Sequence, residues 1–311
     1  MCILSGMIKP DLQPTIRQLP SSITSKTVNK HHYRLNCLSK RLSSDQVVVE
    51  EPLQINLVSF EPAQNNYQQR ELAVIMRTPG DDVALITGFL FSEAVITTAA
   101  DILSIKVASD SETNNIVEVE LAKHLIIDWP SLNRSFTSQS SCGLCGKTSI
   151  KSLALKTQQP VNNQQHWLNM ASIPQLVQQL TEQQGLFIDT GGVHGAGLIN
   201  NEQWISIRED IGRHNAVDKI IGDIVMQQTT IARAILILTG RVSFELMQKA
   251  VMAGIPVIIA VGAPSSLAID VAKQFNLTLI GFTKNQQFNV YHGNWRINSQ
   301  ISPQSKHEHI L

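Results

Sequence analysis

The clearest periodic signal lies near the carboxyl end of the chain. The run 234–238 is wholly apolar and reads as a buried strand. Thr239-Gly240-Arg241-Val242-Ser243 turns it into a helix running to Ala253, with Ser243 at the capping position and Glu245 in the first turn. Gly254 closes that helix and Pro256 forbids its return. The next strand is 257–261, then Ser265 or Ser266 caps a helix through Phe275, Asn276 takes a left-handed closing position, and 277–282 is a third strand. Strand, helix, strand, helix, strand with short loops implies parallel pairing with right-handed crossovers. Ligands of open α/β sheets bind at the carboxyl ends of such strands. Residues 239–241, 262–265 and the segment after Gly281 should therefore share one rim.

Upstream the patterns are shorter. A helix is predicted over 173–183 with Gly185 as its stop, a strand over 186–189, a hairpin with Asn200-Asn201 at its tip, a strand over 204–208 and an amphipathic helix over 215–226. In the first half, 71–77 reads as a strand and 78–82 as a turn ending in a capping aspartate. Val83, Ile86 and Leu90 mark a helix over 83–94, and strands are expected at 103–108 and 115–121. Residues 128–141 look irregular, and a helix is expected from Thr148. Order is expected to begin near the β-branched run Val47-Val48-Val49, because 1–44 is polar without a sustained period.

The predicted organisation is a disordered basic extension over 1–45, an N-terminal α+β part over 46–141, a cysteine-pair loop and linker over 142–171, an α/β domain over 172–296 and a polar tail over 297–311. Composition adds limits. The chain has 311 residues, 43% hydrophobic and 16% charged, with 25 bases and 25 acids. Residues 1–45 hold seven bases and two acids, leaving 18 bases against 23 acids in the remainder. A basic arm on a mildly acidic body reads first as a solvated tail and second as a docking arm for an acidic partner. No nucleic-acid partner is expected. The span 250–269 has no charge, but Gly254, Pro256, Gly262 and Pro264 break it into short elements, so no membrane span is expected. No signal peptide is evident at the start, and the compartment expected is the cytoplasm.

Four cysteines are present: Cys2, Cys37, Cys142 and Cys145. The last two form a close pair, Ser141-Cys142-Gly143-Leu144-Cys145-Gly146-Lys147, on a loop before the helix expected from Thr148. Such a pair can share a persulfide, close a disulfide or supply two corners of a zinc site. No second pair completes a four-sulfur cage, so thiol chemistry is favoured and no metal site is expected. Lys147 would lower a thiol pKa, and Gly143 and Gly146 leave room for a sulfur acceptor.

Two further segments carry polar chemistry. The turn 190–197 is glycine-rich without the dinucleotide spacing, so it is a weak phosphate signal set against a tight turn that needs glycine, and His194 reads equally as a polar contact or proton carrier and as a structural histidine. The run Arg208-Glu209-Asp210-Ile211-Gly212-Arg213-His214-Asn215 is dense in charged and hydrogen-bonding groups and ends at a helix start, where anions collect. Arg213, His214 and Asn215 are expected to project together, with Arg241 and Ser243 in the same geometry at the next helix start. The element order suits a cytidine deaminase scaffold. The zinc chemistry of that fold is absent, since no His-x-Glu and later Pro-Cys-x-x-Cys stand at the helix starts.

Several runs together resemble the formate dehydrogenase accessory sulfurtransferase family, FdhD. They are Arg77-Thr78-Pro79-Gly80-Asp81-Asp82 with 88–93, the cysteine loop 141–146, 190–196, 208–218, 240–245, 253–256 and 263–268, in family order across roughly 47–292. The resemblance implies a cytidine deaminase-like mixed sheet with flanking helices, plus a smaller N-terminal β-rich part. It implies a sulfurtransferase that takes persulfide sulfur from a cysteine desulfurase and passes it to the bis(molybdopterin guanine dinucleotide) form of the molybdenum cofactor, bound as cargo, for formate dehydrogenase. Cys142 matches the persulfide carrier and Cys145 its helper. The cofactor-contacting segment would be Phe282-Thr283-Lys284-Asn285-Gln286-Gln287, where the family usually has arginines and this chain has Lys284 and Gln287. A homodimer is expected from uncharged strands and an apolar face. The competing readings are a cofactor-binding chaperone that moves no sulfur, a zinc-stabilised interaction protein and a nucleotide deaminase.

Overall fold

A computed structural model describes residues 15–16, 23–34, 39–109, 113–130, 132, 150, 153–154 and 161–299. The cysteine pair at 142 and 145, like Cys2 and Cys37, lies outside the described residues. So do most of the irregular stretch 128–141 and most of the helix expected from Thr148, of which Ile150, Leu153 and Ala154 are helical.

The first part contains β1 (Thr15–Ile16), β2 (Ser25–Arg34), β3 (Ser39–Val48), β4 (Glu51–Glu61), β5 (Asn66–Arg77), α1 (Asp82–Ser92), β6 (Ile102–Val107) and β7 (Ile116–Leu121). Five of these strands form a sheet in the order β1-β6-β7-β4-β5. Its inner face packs Leu53, Ile55, Leu57, Val117 and Val119 against Leu85, Ile86 and Leu90 of α1.

The second part contains β8 (Leu168–Asn169), α2 (Ser172–Glu182), α3 (Gly185–Thr190), β9 (His194–Asn200), β10 (Gln203–Asp210), α4 (Arg213–Met226), β11 (Ala234–Leu238), α5 (Phe244–Met252), β12 (Val257–Ala260), α6 (Ser266–Gln274), β13 (Thr278–Lys284), β14 (Gln287–His292) and β15 (Ile297–Asn298). Six strands run in the order β10-β9-β11-β12-β13-β14. β11, β12 and β13 are parallel, as their crossovers require, and β9, β10 and β14 are antiparallel to their neighbours. Alternate residues of β11 serve two cores. Leu236 and Leu238 meet α4, α5 and α6, whereas Ile235 and Ile237 meet the α2 side.

The two parts are joined by α1 lying on α4. Gly88 and Gly222 make the approach possible: a Cβ on Gly88 would stand 1.8 Å from the Asp218 carbonyl oxygen, and one on Gly222 1.9 Å from that of Ala84. Beside this crossing, Lys249 donates to both Asp218 oxygens at 2.8 and 2.9 Å, and the Ser92 hydroxyl donates to one of them at 2.9 Å.

Most predicted elements stand, with their closures. Gly254 (φ 70°) and Asn276 (φ 56°) are left-handed, and the Ser265 hydroxyl accepts the Ala268 amide at 3.2 Å. Four expectations need correction. The strand at 186–189 is helix α3, because Glu209 accepts the Leu186 and Phe187 amides at 2.9 and 2.8 Å and caps its start. Residues 25–45 are not disordered throughout: β2 and β3 pair antiparallel over ten positions. Both faces of that ribbon are polar, so no hydrophobic period announces it. The third concerns aspartate and serine caps. Asp81 and Ser243 occupy capping positions without a side-chain capping bond. Asp81 instead faces Arg208 at 3.5 Å. Ile297 and Asn298, assigned to the tail, pair with β8.

Candidate functional site

One edge of the six-stranded sheet gathers the carboxyl ends of β10, β11, β12 and β13 and the start of β9. Register fixes this: Asp210 opposes His194 across β10 and β9, and Leu238 opposes Ala196 across β11 and β9. The loops continue the ladder as a ledge. The Gly262 amide donates to the Gly240 carbonyl at 3.2 Å, Val242 to Ala263 at 3.0 Å, and Phe282 to Gly262 at 3.2 Å. A Cβ on Gly262 would stand 2.6 Å from the Gly240 oxygen, so only glycine lets these loops stack.

His194, Arg213, His214, Arg241 and Ser243 meet on this ledge. The bare Gly240 backbone lies between two of them, at 3.3 Å from His194 Nδ1 and 3.7 Å from Arg213 Cδ for a Cβ placed there. His214 Nε2 is 3.4 Å from Ser243 Oγ and 4.0 Å from a Glu245 carboxylate oxygen. Arg213 Nε is buried and has no hydrogen-bond partner among the described residues. Burial holds the His214 imidazole down to about 4, with repulsion from Arg213 and Lys249 adding to it. His194 is lowered by burial and then by Arg213 and Arg241. At neutral pH the ledge thus offers two guanidinium cations, two uncharged imidazoles and the starts of α4 and α5, an arrangement suited to an anion.

A cavity of about 490 Å³ opens beside His194, lined by Thr181, Gln184, Phe187, Val193, Thr239 and Val261 among others. The glycines of the 190–197 turn have separate jobs. Gly191 is left-handed (φ 64°), whereas Gly195 makes room for the Gln184 amide and Gly197 for the Trp204 ring.

Asn215 does not join the ledge. Its amide donates to the Met76 carbonyl at 2.8 Å and to Asp210 at 2.9 Å. Asp210 is fully buried, pairs with Lys219 at 2.9 Å and accepts the Thr78 amide at 3.2 Å. Thr78 Oγ1 in turn accepts the Ile211 amide at 3.1 Å. The runs 77–82 and 208–219 are therefore two sides of one joint that aims α4. Sequence places Thr78 and Asp210 in the runs 77–82 and 208–218 without marking their contact, and Lys219 lies just beyond the second run. Phe282 begins the last predicted segment on the ledge, half exposed and with a left-handed backbone (φ 53°), an unusual conformation for a bulky side chain. Thr283 is buried with its hydroxyl unpartnered among the described residues, and 284–287 form the exposed β13–β14 turn.

A family model described as FdhD/NarQ matches residues 50–298. The chain belongs to the FdhD/NarQ family. Among its relatives, proteins named Sulfur carrier protein FdhD are 42% identical in Streptomyces avermitilis (81% of this chain, 89% of the relative) and 39% identical in Nocardia farcinica (88% and 95%). A third, in Picrophilus torridus, is 42% identical over 81% of this chain and 92% of its own. A crystal structure described as a formate dehydrogenase accessory protein from Desulfotalea psychrophila superposes with a TM-score of 0.66 at 25% identity, covering 88% of this chain and all of that one. The β2–β3 ribbon precedes the span matched by the FdhD/NarQ model. Among the described residues no helix is long and apolar enough to cross a membrane.

Proposed function

We propose that this chain is a cytoplasmic sulfur carrier that accepts persulfide sulfur from a cysteine desulfurase and hands it to the molybdenum cofactor, in its bis(molybdopterin guanine dinucleotide) form, for formate dehydrogenase. Membership of a family whose curated members are named sulfur carriers supports the transfer. The observation that carries the cofactor half is the ledge: Arg213 and Arg241 both act on His194, which lines the cavity of about 490 Å³, and the buried Arg213 Nε has no partner among the described residues. Those groups fit a phosphate-bearing, planar cargo. The sheet order, antiparallel at β10-β9-β11 and parallel at β11-β12-β13, supports the cytidine deaminase-like scaffold.

In the chemistry we propose, the Cys142 thiolate attacks the outer sulfur of the donor persulfide, and the donor cysteine leaves as a thiolate. No electrons are exchanged in that step. Release then needs two electrons. The Cys145 thiolate supplies them by attacking Cys142 sulfur, so that the carried atom departs as sulfide and a disulfide remains for a cellular dithiol to reduce.

Cys142→Ala and Cys145→Ala separate the readings. Loading with desulfurase and cysteine is followed by intact mass, and formate dehydrogenase activation by formate oxidation. Cys142→Ala is expected to gain no sulfur mass and to leave the client inactive. A Cys142→Ala protein that still activates the client is a cofactor-binding chaperone without sulfur transfer, and the proposal is then wrong.

A further inference from the structure

The ledge carries a carboxylate that an anion site alone does not call for. Glu245 lies in the first turn of α5, with 51% of its side chain exposed, 4.0 Å from His214 Nε2. Burial alone would raise its carboxyl. The Ser243 hydroxyl, its own backbone amide, His214 and Arg213 outweigh that and hold it below the ordinary range. Glu245 is thus ionised at neutral pH and can only accept hydrogen bonds. It repels phosphate, so its presence beside His214 and Arg213 weakens a site built for phosphate only. Its complement is an edge made of N–H donors.

We propose that Glu245 reads the ring N–H and exocyclic amine of a 2-amino-4-oxopyrimidine ring, the edge that guanine and pterins share, while Arg213 and Arg241 take the phosphates. This rests on the cofactor reading above. An ionised carboxylate accepting two N–H bonds from one ring edge gives orientation as well as affinity. The neutral His214 and the Ser243 hydroxyl set the carboxylate without cancelling its charge. A ring lacking the exocyclic amine leaves one of those bonds unmade, which is how a polar pocket rejects a near-isostere. Glu245 is then a specificity residue, distinct from the cations that bind any nucleotide diphosphate.

Calorimetric titration of the full chain with GDP, with IDP (which lacks the amine) and with neopterin tests this. The wild type is expected to prefer GDP over IDP by roughly tenfold to a hundredfold, the range of one hydrogen bond to a charged group. In Glu245→Ala that ratio is expected to collapse toward unity, even if both nucleotides bind more tightly once the repulsion is gone. Arg241→Ala should weaken both nucleotides and leave the ratio unchanged. Should the guanine ratio survive in Glu245→Ala while neopterin binding is lost, the pterin is the ring being read. If both survive, Glu245 is a helix-start acid and the inference fails while the cofactor reading stands. A wild type that binds neither GDP nor neopterin sinks the cofactor reading and this inference together.

Discussion

The His214 imidazole stays uncharged to about pH 4 because it is buried beside Arg213. In the unfolded chain the same ring takes up its proton near 6.5. Between these values the unfolded state binds the proton and the folded state does not, so stability is fully present above 6.5 and falls as pH drops toward 4. Thermal melts of wild type and His214→Gln over that window should show a shallower acid loss in the variant. Equal slopes would mean that the ring is solvated. His214 also shows how far a site can be read from spacing. Arg213, His214 and Asn215 are consecutive, and consecutive residues on a helix diverge by about 100°. Two of them reach the ledge, and the third turns back to the Met76 carbonyl. The residue types announced polar work, but spacing could not say which side each would serve. Glu245 was legible only as a first-turn acid, because its relation to His214 depends on two helix starts brought together by the sheet.

At the scale of elements, legibility followed length and self-containment. β11, α5, β12 and α6 each carry their own period and closure, so Gly254, Ser265 and Asn276 could be placed from sequence and hold in the structure. α3 has six residues, under two turns, and depends on a carboxylate more than twenty positions away. Its Phe187 and Ile188 are 39% and 66% exposed, so the apolar run that suggested a strand is not a buried one. Glu209→Ala should therefore free the amino end of α3, at about 1 kcal/mol, the usual effect of losing a cap. Hydrogen exchange at the Leu186 and Phe187 amides is the direct measurement, and unchanged protection would show that α3 holds without Glu209. Because α3 forms a wall of the His194 cavity, the same variant should also weaken ligand binding there without touching the ledge arginines.

The α1–α4 crossing joins the two parts beside the Thr78–Asp210 joint, and it combines two different constraints. The first is steric: Gly222→Ala would drive a methyl to 1.9 Å from the Ala84 carbonyl oxygen, and neither helix can yield without moving its sheet. Overpacking of this kind typically costs about 1–3 kcal/mol. The second is electrostatic, because Asp218 and Lys249 are both buried and each is the other's charge partner. Burial pushes the Asp218 carboxyl up and Lys249 opposes it. Lys249→Met removes that opposition and strands the carboxylate, a loss expected near 3–5 kcal/mol. The sign of its pH dependence follows. With a raised folded-state pKa, Asp218 is penalised while ionised and relieved on protonation, so the deficit of Lys249→Met should shrink as pH falls through that raised value. Adding Asp218→Asn, which keeps a side chain able to bond Ser92, should recover much of the stability and remove that pH dependence. Urea unfolding checks both, with Trp129 reporting the five-stranded half and Trp204 the six-stranded half in single-tryptophan variants. Coincident transitions in wild type and separated ones in Lys249→Met would show that the crossing makes one cooperative body of two sheets; separated transitions in the wild type would show that it does not.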